Sequence, residues 1–312
     1  MDAPRKHEKY DALIQACRGF PPVRTAVAHP CDEISLSAVM GAAAAQLIEP
    51  ILVGPAARIR ALAQSLRLDI AGVQLVDAPH SHAAAETAVA LARSGEVAVL
   101  MKGSLHTDEL MAEVVRKETG ICTGRRVSHV FIMDVPTYPK SLFITDGAVN
   151  IFPSLEDKAD IVQNAIDLAH SLGIPLPKVA ILSAVETITS KIPSTIDAAA
   201  LCKMADRGQI TGGILDGPLA LDNAISREAA AVKHIDSAVA GDADILVAPG
   251  LEAGNMLAKE LSFLANADAA GIVLGARVPI ILTSRADSLQ AHLASCAVAA
   301  IYARALAAGR GR

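Results

Sequence analysis

A chain of 312 residues is long enough for two ordinary domains or one large one, and its 52% hydrophobic content supports a sizeable core. That content is carried by Ala, Val, Leu and Ile, with no Trp, only 3% aromatics and a net charge of −5, so neither base stacking nor a basic footprint points to nucleic acid. Five scattered cysteines (Cys17, Cys31, Cys122, Cys202, Cys296) form no CxxC and are odd in number, which fits free thiols in a reducing compartment and makes the cytoplasm the expected location.

The N-terminal MDAPRKHEKY leads into DALIQACRGFPP without the apolar core of a signal peptide. The long apolar stretches, such as Ala38 to Ile48, are too short for a bilayer, so no membrane span is expected. From there, short Val- and Ile-rich runs alternate with Ala-rich segments of helical period. VRTAVAHP (23–30) reads as a strand, SLSAVMGAAAAQLI as a helix, PILVG (50–54) as a strand and AARIRALAQSLRL as a helix. VQLVDA (73–78), AAAETAVALARSG, EVAVLMKG (96–103) and TDELMAEVVRKETG continue the series. Four β-α units in succession predict a doubly wound, mostly parallel sheet.

Between about residues 126 and 152 the pattern changes. RVSHVFIMDVP and SLFITDGAVNIF are two extended runs with no helix between them, which predicts an antiparallel pair and a domain crossing. Alternation then resumes with LEDKADIVQNAIDLAHSLG (helix), KVAILSAV (178–185), TIDAAALCKMADRG (helix), GGILDGP, a helix around REAAAVKHI, DADILVAPG (243–250), the helix GNMLAKELSFLANA, AGIVLGA and VPIILTS. The final helix, SLQAHLASCAVAAIYARALAAG, is long enough to cross back onto the first domain. The expected division is 1–138 plus 287–312 for the first α/β domain and 139–286 for the second.

The chain contains no GxxxxGK[ST], GxGxxG, HExxH or GxSxG, which removes the main support for P-loop, simple Rossmann, zinc-protease and α/β-hydrolase readings. His80-Ser-His82 has weak metal spacing and reads as a surface or capping pair. Polar residues do gather at predicted strand ends: Lys102-Gly103-Ser-Leu-His106-Thr107, Ser128-His129, Asp216-Gly217-Pro218 with Asp222, Gly254-Asn255 with Lys259, and Thr283-Ser284-Arg285. Singly these have structural explanations: Thr107 suits an N-cap, DGP a turn, Gly254-Asn255 a helix start, and Ser284 to Ser288 the cap of the last helix. Jointly they suit a phosphate-binding crevice.

Five ordered motifs resemble the phosphate acetyltransferase and phosphate butyryltransferase family along nearly the whole chain: MKGSLHTDELM (101–111), RRVSHVFIMDVP (125–136), GGILDGPLALDNAIS (212–226), DSAVAGDADILVAPGLEAGNMLAKEL (236–261) and VPIILTSRADS (278–288). TSRADS is more similar to the butyryltransferase branch than to the LSRG of the acetyltransferase branch. The resemblance implies two α/β domains with mostly parallel sheets and an interdomain cleft, similar to the isocitrate and isopropylmalate dehydrogenase fold, usually in a homodimer. It implies reversible transfer of an acyl group between coenzyme A and inorganic phosphate, with acyl-CoA, phosphate and acyl phosphate as substrates, no tightly bound cofactor and no metal.

That chemistry needs a base near the thiol, a donor for the developing oxyanion and a cation for the phosphate. Arg285 offers a planar fork for phosphate, and Ser284 can donate to the tetrahedral oxygen or position the thiol. The base is open: Asp287 is either that base or an acidic residue at a helix start, and His292 is a third candidate. Lys102, Gly103, Thr107, Arg126, Ser128, Asp216, Gly217, Pro218, Gly254, Asn255, Lys259 and Thr283 are the expected substrate-binding residues, with Arg125 and Arg126 directed at coenzyme A phosphates. Asp216 and Asp222 are expected to orient cations or loops. The rival readings are a non-catalytic coenzyme A or phosphate-binding module and a dehydrogenase of the same superfamily.

Overall fold

In a computed structural model of the chain, the described residues are 8–283 and 288–309. The chain opens with α1 (Glu8–Ala16). It then alternates through β1 (Val23–Ala28), α2 (Glu33–Ala44), β2 (Ile48–Gly54), α3 (Ala56–Leu66), β3 (Gln74–Asp77), α4 (Ser81–Ser94), β4 (Val99–Lys102) and α5 (Thr107–Val114). Two strands without an intervening helix follow, β5 (Ser128–Asp134) and β6 (Leu142–Thr145). Next come α6 (Leu155–Ser171), β7 (Lys178–Leu182), α7 (Pro193–Asp206), β8 (Ile214–Leu219), α8 (Leu221–Ile225), α9 (Arg227–Val232) and β9 (Ile245–Val247). The last elements are α10 (Leu251–Leu264), β10 (Asp268–Leu274), β11 (Ile280–Ile281) and α11 (Leu289–Ala307).

The chain forms two compact units. One holds Tyr10–Arg125 and Ala270–Gly309, and the other Arg126–Ala269 with Glu8 and Lys9. The units divide at 125/126 and 269/270. The extended pair expected between 126 and 152 lies wholly inside the second unit, because β5 and β6 pair antiparallel with each other.

In the first unit the strands run in the order β3-β2-β1-β4-β11-β10. All neighbours are parallel except β10 and β11. Beyond one exposed residue each, β1 and β2 are buried throughout, and β4 is buried at every position. That is the pattern of strands covered on both faces, and it explains their unbroken apolar runs. α4 packs on β1 and β2, while α11 packs on α2, β4 and β11. α11 is long and apolar enough to cross a membrane by length and composition, a span the sequence reading did not expect, but most of it is buried in this unit. Its Ala-rich faces are core surface.

In the second unit the order is β5-β6-β9-β7-β8, parallel from β6 onward. Met133, Leu142, Ile144, Ala180, Leu246 and Ala258 form the centre of its core. α6 starts where Ser154 and Asp157 cap each other: Ser154 Oγ accepts from Asp157 N at 3.1 Å and Asp157 Oδ2 from Ser154 N at 3.0 Å.

Three local readings need correction. α5 ends at Val114 rather than near Gly120, because Ile121 N turns back to Val114 O at 2.9 Å. Gly120 fits there for lack of a Cβ, which would stand 2.3 Å from Val114 O. The N-cap of α5 is His106, one residue before Thr107. Asp216-Gly217-Pro218 is part of β8, not a turn; the register between β7 and β8 shifts there, and β8 is the outer strand of its unit, where a missing N–H is tolerated.

Candidate active site

In the first unit, polar groups collect at the carboxyl ends of β1, β4 and β11, where α/β sheets place ligands. Lys102, the last residue of β4, is 8% exposed, and its ammonium donates to Gly103 O at 3.2 Å and Leu105 O at 3.4 Å. Gly103 sits against the end of β1: its N–H donates to Ala28 O at 2.9 Å, and a Cβ would meet Ala28 O at 2.5 Å and His29 O at 2.6 Å. Thr283, also buried, follows β11, whose Ile281 is the register partner of Met101. Lys102, Gly103 and Thr283 are therefore brought to neighbouring strand ends. Thr107 is exposed at the start of α5.

This end also contains residues the sequence reading passed over. His29 has φ 55, an uncommon conformation for a side-chain-bearing residue. The Ser104 hydroxyl donates to His29 O at 2.8 Å and stands 3.1 Å from His29 Nδ1. With its one proton committed to the carbonyl, the hydroxyl accepts from an Nδ1–H tautomer. Burial, then the Arg58 cation, lowers the His29 pKa, so the ring is neutral near pH 7. The only sequence signal was the His-Pro pair directly after an apolar run.

In the second unit, the carboxyl ends of β6 and β9 and the start of antiparallel β5 converge. Asp146 is the organiser. Its carboxylate accepts from Ala148 N at 2.8 Å, Val149 N at 3.0 Å and Asn150 N at 3.2 Å, closing the turn after β6. Asn150 Oδ1 then accepts from Arg126 Nε at 2.7 Å, and Arg126 also lies 3.5 Å from Asp157. Ser128 is fully buried, and its hydroxyl accepts from Asn164 Nδ2 at 2.9 Å. Gly254 permits α10 to approach this turn, since a Cβ would lie 2.4 Å from Asp146 O. Asn255 Nδ2 donates to Gly147 O at 3.0 Å. Asn255 is not at the helix start: α10 begins at Leu251 behind Gly250, whose extended backbone ends the preceding loop.

His129, beside Ser128, is buried against Phe131 with ring centroids 4.3 Å apart. Burial pulls its pKa to about 4 although the Asp146 carboxylate opposes the shift. It is a neutral core ring.

The other expected residues are not drawn into this group. Asp216, Gly217 and Pro218 lie on β8, the strand of this unit farthest from β5 and β6 in the order. Asp216 Oδ1 accepts from Gly217 N at 2.8 Å, and Asp222 is 3.5 Å from Lys233. Lys259 is exposed one turn beyond Asn255. Arg125 is half-buried at the edge of the other unit. The His80 reading holds, since its Nδ1 accepts from Ala83 N at 3.2 Å as the N-cap of α4. Ser284, Arg285 and Asp287, the expected catalytic residues, lie outside the described residues; Ser288 follows them and caps α11 by accepting from Ala291 N at 3.1 Å. Among the described residues, no group of three or more His, Cys, Asp or Glu is arranged to hold a metal ion.

A sequence model of a family described as phosphate acetyl/butaryl transferase matches residues 81–300. A phosphate acetyltransferase of Rhizobium meliloti is 66% identical over 96% of this chain and 95% of its own length. The crystal structure of a branched-chain phosphotransacylase from Enterococcus faecalis V583 superposes with TM-score 0.78 at 30% identity, covering 90% of this chain and 99% of that one. A 4-hydroxythreonine-4-phosphate dehydrogenase from Burkholderia phymatum shares the fold alone, with TM-score 0.53 and 14% identity over 91% and 99% of the two chains.

Proposed function

This chain belongs to the phosphate acetyl/butaryl transferase family, and on that premise we propose that it transfers a short-chain acyl group reversibly between coenzyme A and inorganic phosphate. The similarity to the Rhizobium protein over nearly both full lengths carries the reading. Since that relative is named an acetyltransferase, acetyl is the first acyl group to test; the butyryl-like TSRADS motif and the branched-chain neighbour keep longer groups in the series.

The proposed mechanism is direct attack in a ternary complex. Towards acyl-CoA, Asp287 takes the proton of the coenzyme A thiol, the sulfur attacks the acyl carbonyl, and Ser284 donates to the oxyanion. As the C–O bond to phosphate breaks, the proton passes to the departing oxygen, and Arg285 holds the hydrogenphosphate dianion that leaves. Held in line, the two substrates need no covalent enzyme intermediate. Lys102, Gly103 and Thr283 supply a cation and hydrogen-bonding groups at one set of strand ends, and Arg126, Ser128 and Asn255 at another. Binding roles for Thr107, Lys259, Gly254 and the Asp216-Gly217-Pro218 strand belong to the same proposal.

We further propose a cytoplasmic homodimer. Met256, Phe263 and Leu264 on α10 are 64%, 79% and 81% exposed, an apolar surface that a second copy would cover. All five cysteines are free, as a reducing location requires.

The deciding experiment is thiol release from acetyl-, propionyl- and butyryl-CoA by purified protein with and without inorganic phosphate. Phosphate-dependent release supports the reading and ranks the acyl groups. No release from any of them overturns it in favour of a coenzyme A or phosphate-binding module.

A further inference from the structure

His292 is the fourth residue of α11, in a segment whose neighbours are Ala291, Ala294 and Ser295. It is 4% exposed, and neither Nδ1 nor Nε2 has a hydrogen-bond partner among the described residues. Buried polar side-chain atoms ordinarily have partners, and a leucine here would pack without leaving any orphaned. The charged groups facing the ring come from two elements packed against α11: Lys102 at the end of β4 and Asp32 at the N-cap of α2. Burial and then the Lys102 ammonium lower the ring's pKa, while Asp32 opposes them, so the imidazole is neutral near pH 7. A neutral ring presents one N–H and one lone pair.

The two point to opposite sides of the ring, so a single ligand meets one of them, and a ligand at the lone-pair nitrogen must donate to it and carry negative charge towards an ammonium. A thioester carbonyl can only accept. Hydrogenphosphate does both, with its charged oxygens facing Lys102 and its P–OH donating to the unprotonated ring nitrogen.

We propose that His292 and Lys102 together hold inorganic phosphate, His292 reading its protonated oxygen. The assignment rests on the acyl-transfer reading for the ligand's role in turnover, but not for its binding. His292 fixes which phosphate oxygen keeps the proton and so leaves an unprotonated oxygen to attack the acyl group. The proton stays on phosphate while His292 orients it, and no bond to the ring forms or breaks.

The test compares wild type, His292→Leu and His292→Gln in two measurements. In the thiol-release assay, His292→Leu is expected to raise KM for phosphate about tenfold or more, the scale of a lost hydrogen bond to a charged group, with KM for acyl-CoA unchanged. Gln keeps a donor and an acceptor and is expected to recover most of the loss. In thermal unfolding, His292→Leu is expected to match or exceed wild-type Tm without phosphate and to lose the Tm rise that added inorganic phosphate gives the wild type. An unchanged phosphate KM, an equal rise in both KM values, or a phosphate-induced Tm rise that survives in His292→Leu overturns the assignment. If the wild type releases no thiol, the acyl-transfer reading falls, and the phosphate-induced Tm rise, which needs no turnover, still decides the role of His292.

Discussion

Asn150 holds Arg126: its Oδ1 accepts from the guanidinium Nε at 2.7 Å, while its Nδ2 donates to Val127 O at 2.8 Å. The amide is 2% exposed, so an exposed cation is steered by a buried group that is itself fixed by the turn after β6. Two substitutions separate these roles. Arg126→Ala is expected to leave Tm within a degree or two, since exposed ion pairs contribute little, and to raise KM for acyl-CoA about tenfold. Asn150→Ala is expected to cost about 1–3 kcal/mol of stability as well, read by urea unfolding. If Arg126→Ala leaves KM for acyl-CoA unchanged, the cation has no role in coenzyme binding.

Ser284→Ala and Arg285→Gln should each lower turnover by orders of magnitude while the unfolding midpoint stays at the wild-type value. Near-normal rates in both variants would remove the pair from the chemistry.

Asp287→Asn distinguishes a base from an acidic residue at a helix start. As the base, its loss flattens the low-pH limb of the rate profile; a persisting limb sends the thiol proton to another group.

Gly103→Ala tests the close approach of β4 to the end of β1. The added Cβ would lie 2.5 Å and 2.6 Å from two backbone oxygens, which cannot give way as a side chain could. A loss of roughly 3 kcal/mol or more is expected, read as a lowered Tm, with Lys102 displaced and activity lost together. A variant with wild-type Tm and activity would show that the strand ends have room to part.

Acid sensitivity should arise partly at Asp242, whose pKa is lowered to about 2, chiefly by the hydrogen bond from Lys178 and, against some desolvation, by Lys140. A depressed folded-state pKa stabilises above the unfolded value near 3.8 and loses that stabilisation as pH falls towards 2. Asp242→Asn is therefore expected to cost about 1–2 kcal/mol at pH 7 and to shrink the difference from wild type between pH 4 and pH 2. A constant difference across that window would assign the loss to packing.

Much of the element pattern was legible because burial on both faces leaves a direct trace. The runs in β1, β2 and β4 are apolar at nearly every position, and the helices between them have Ala-rich faces that pack on strands. The missing helix between β5 and β6 was equally plain, and antiparallel pairing followed from it. Element ends are less legible. Thr107 reads as a cap by residue type, yet His106 occupies that position. Gly254-Asn255 reads as a helix start, yet a close approach to Asp146 O explains the glycine better.

The order of residues alone carries the alternation of strands and helices, the absence of familiar nucleotide and protease motifs, and five ordered motifs sufficient to point to a family. Those are local or pattern properties, set by side-chain period and by succession along the chain. It took the folded chain to bring Lys102, Gly103 and Thr283 to neighbouring strand ends, and to let Asp146 and Asn150 hold Arg126. Folding likewise buries both nitrogens of His292 without partners among the described residues. Such relationships join residues far apart in the chain, and strand order and packing fix them rather than spacing: the Lys102 charge acts on His292 because α11 packs back onto β4.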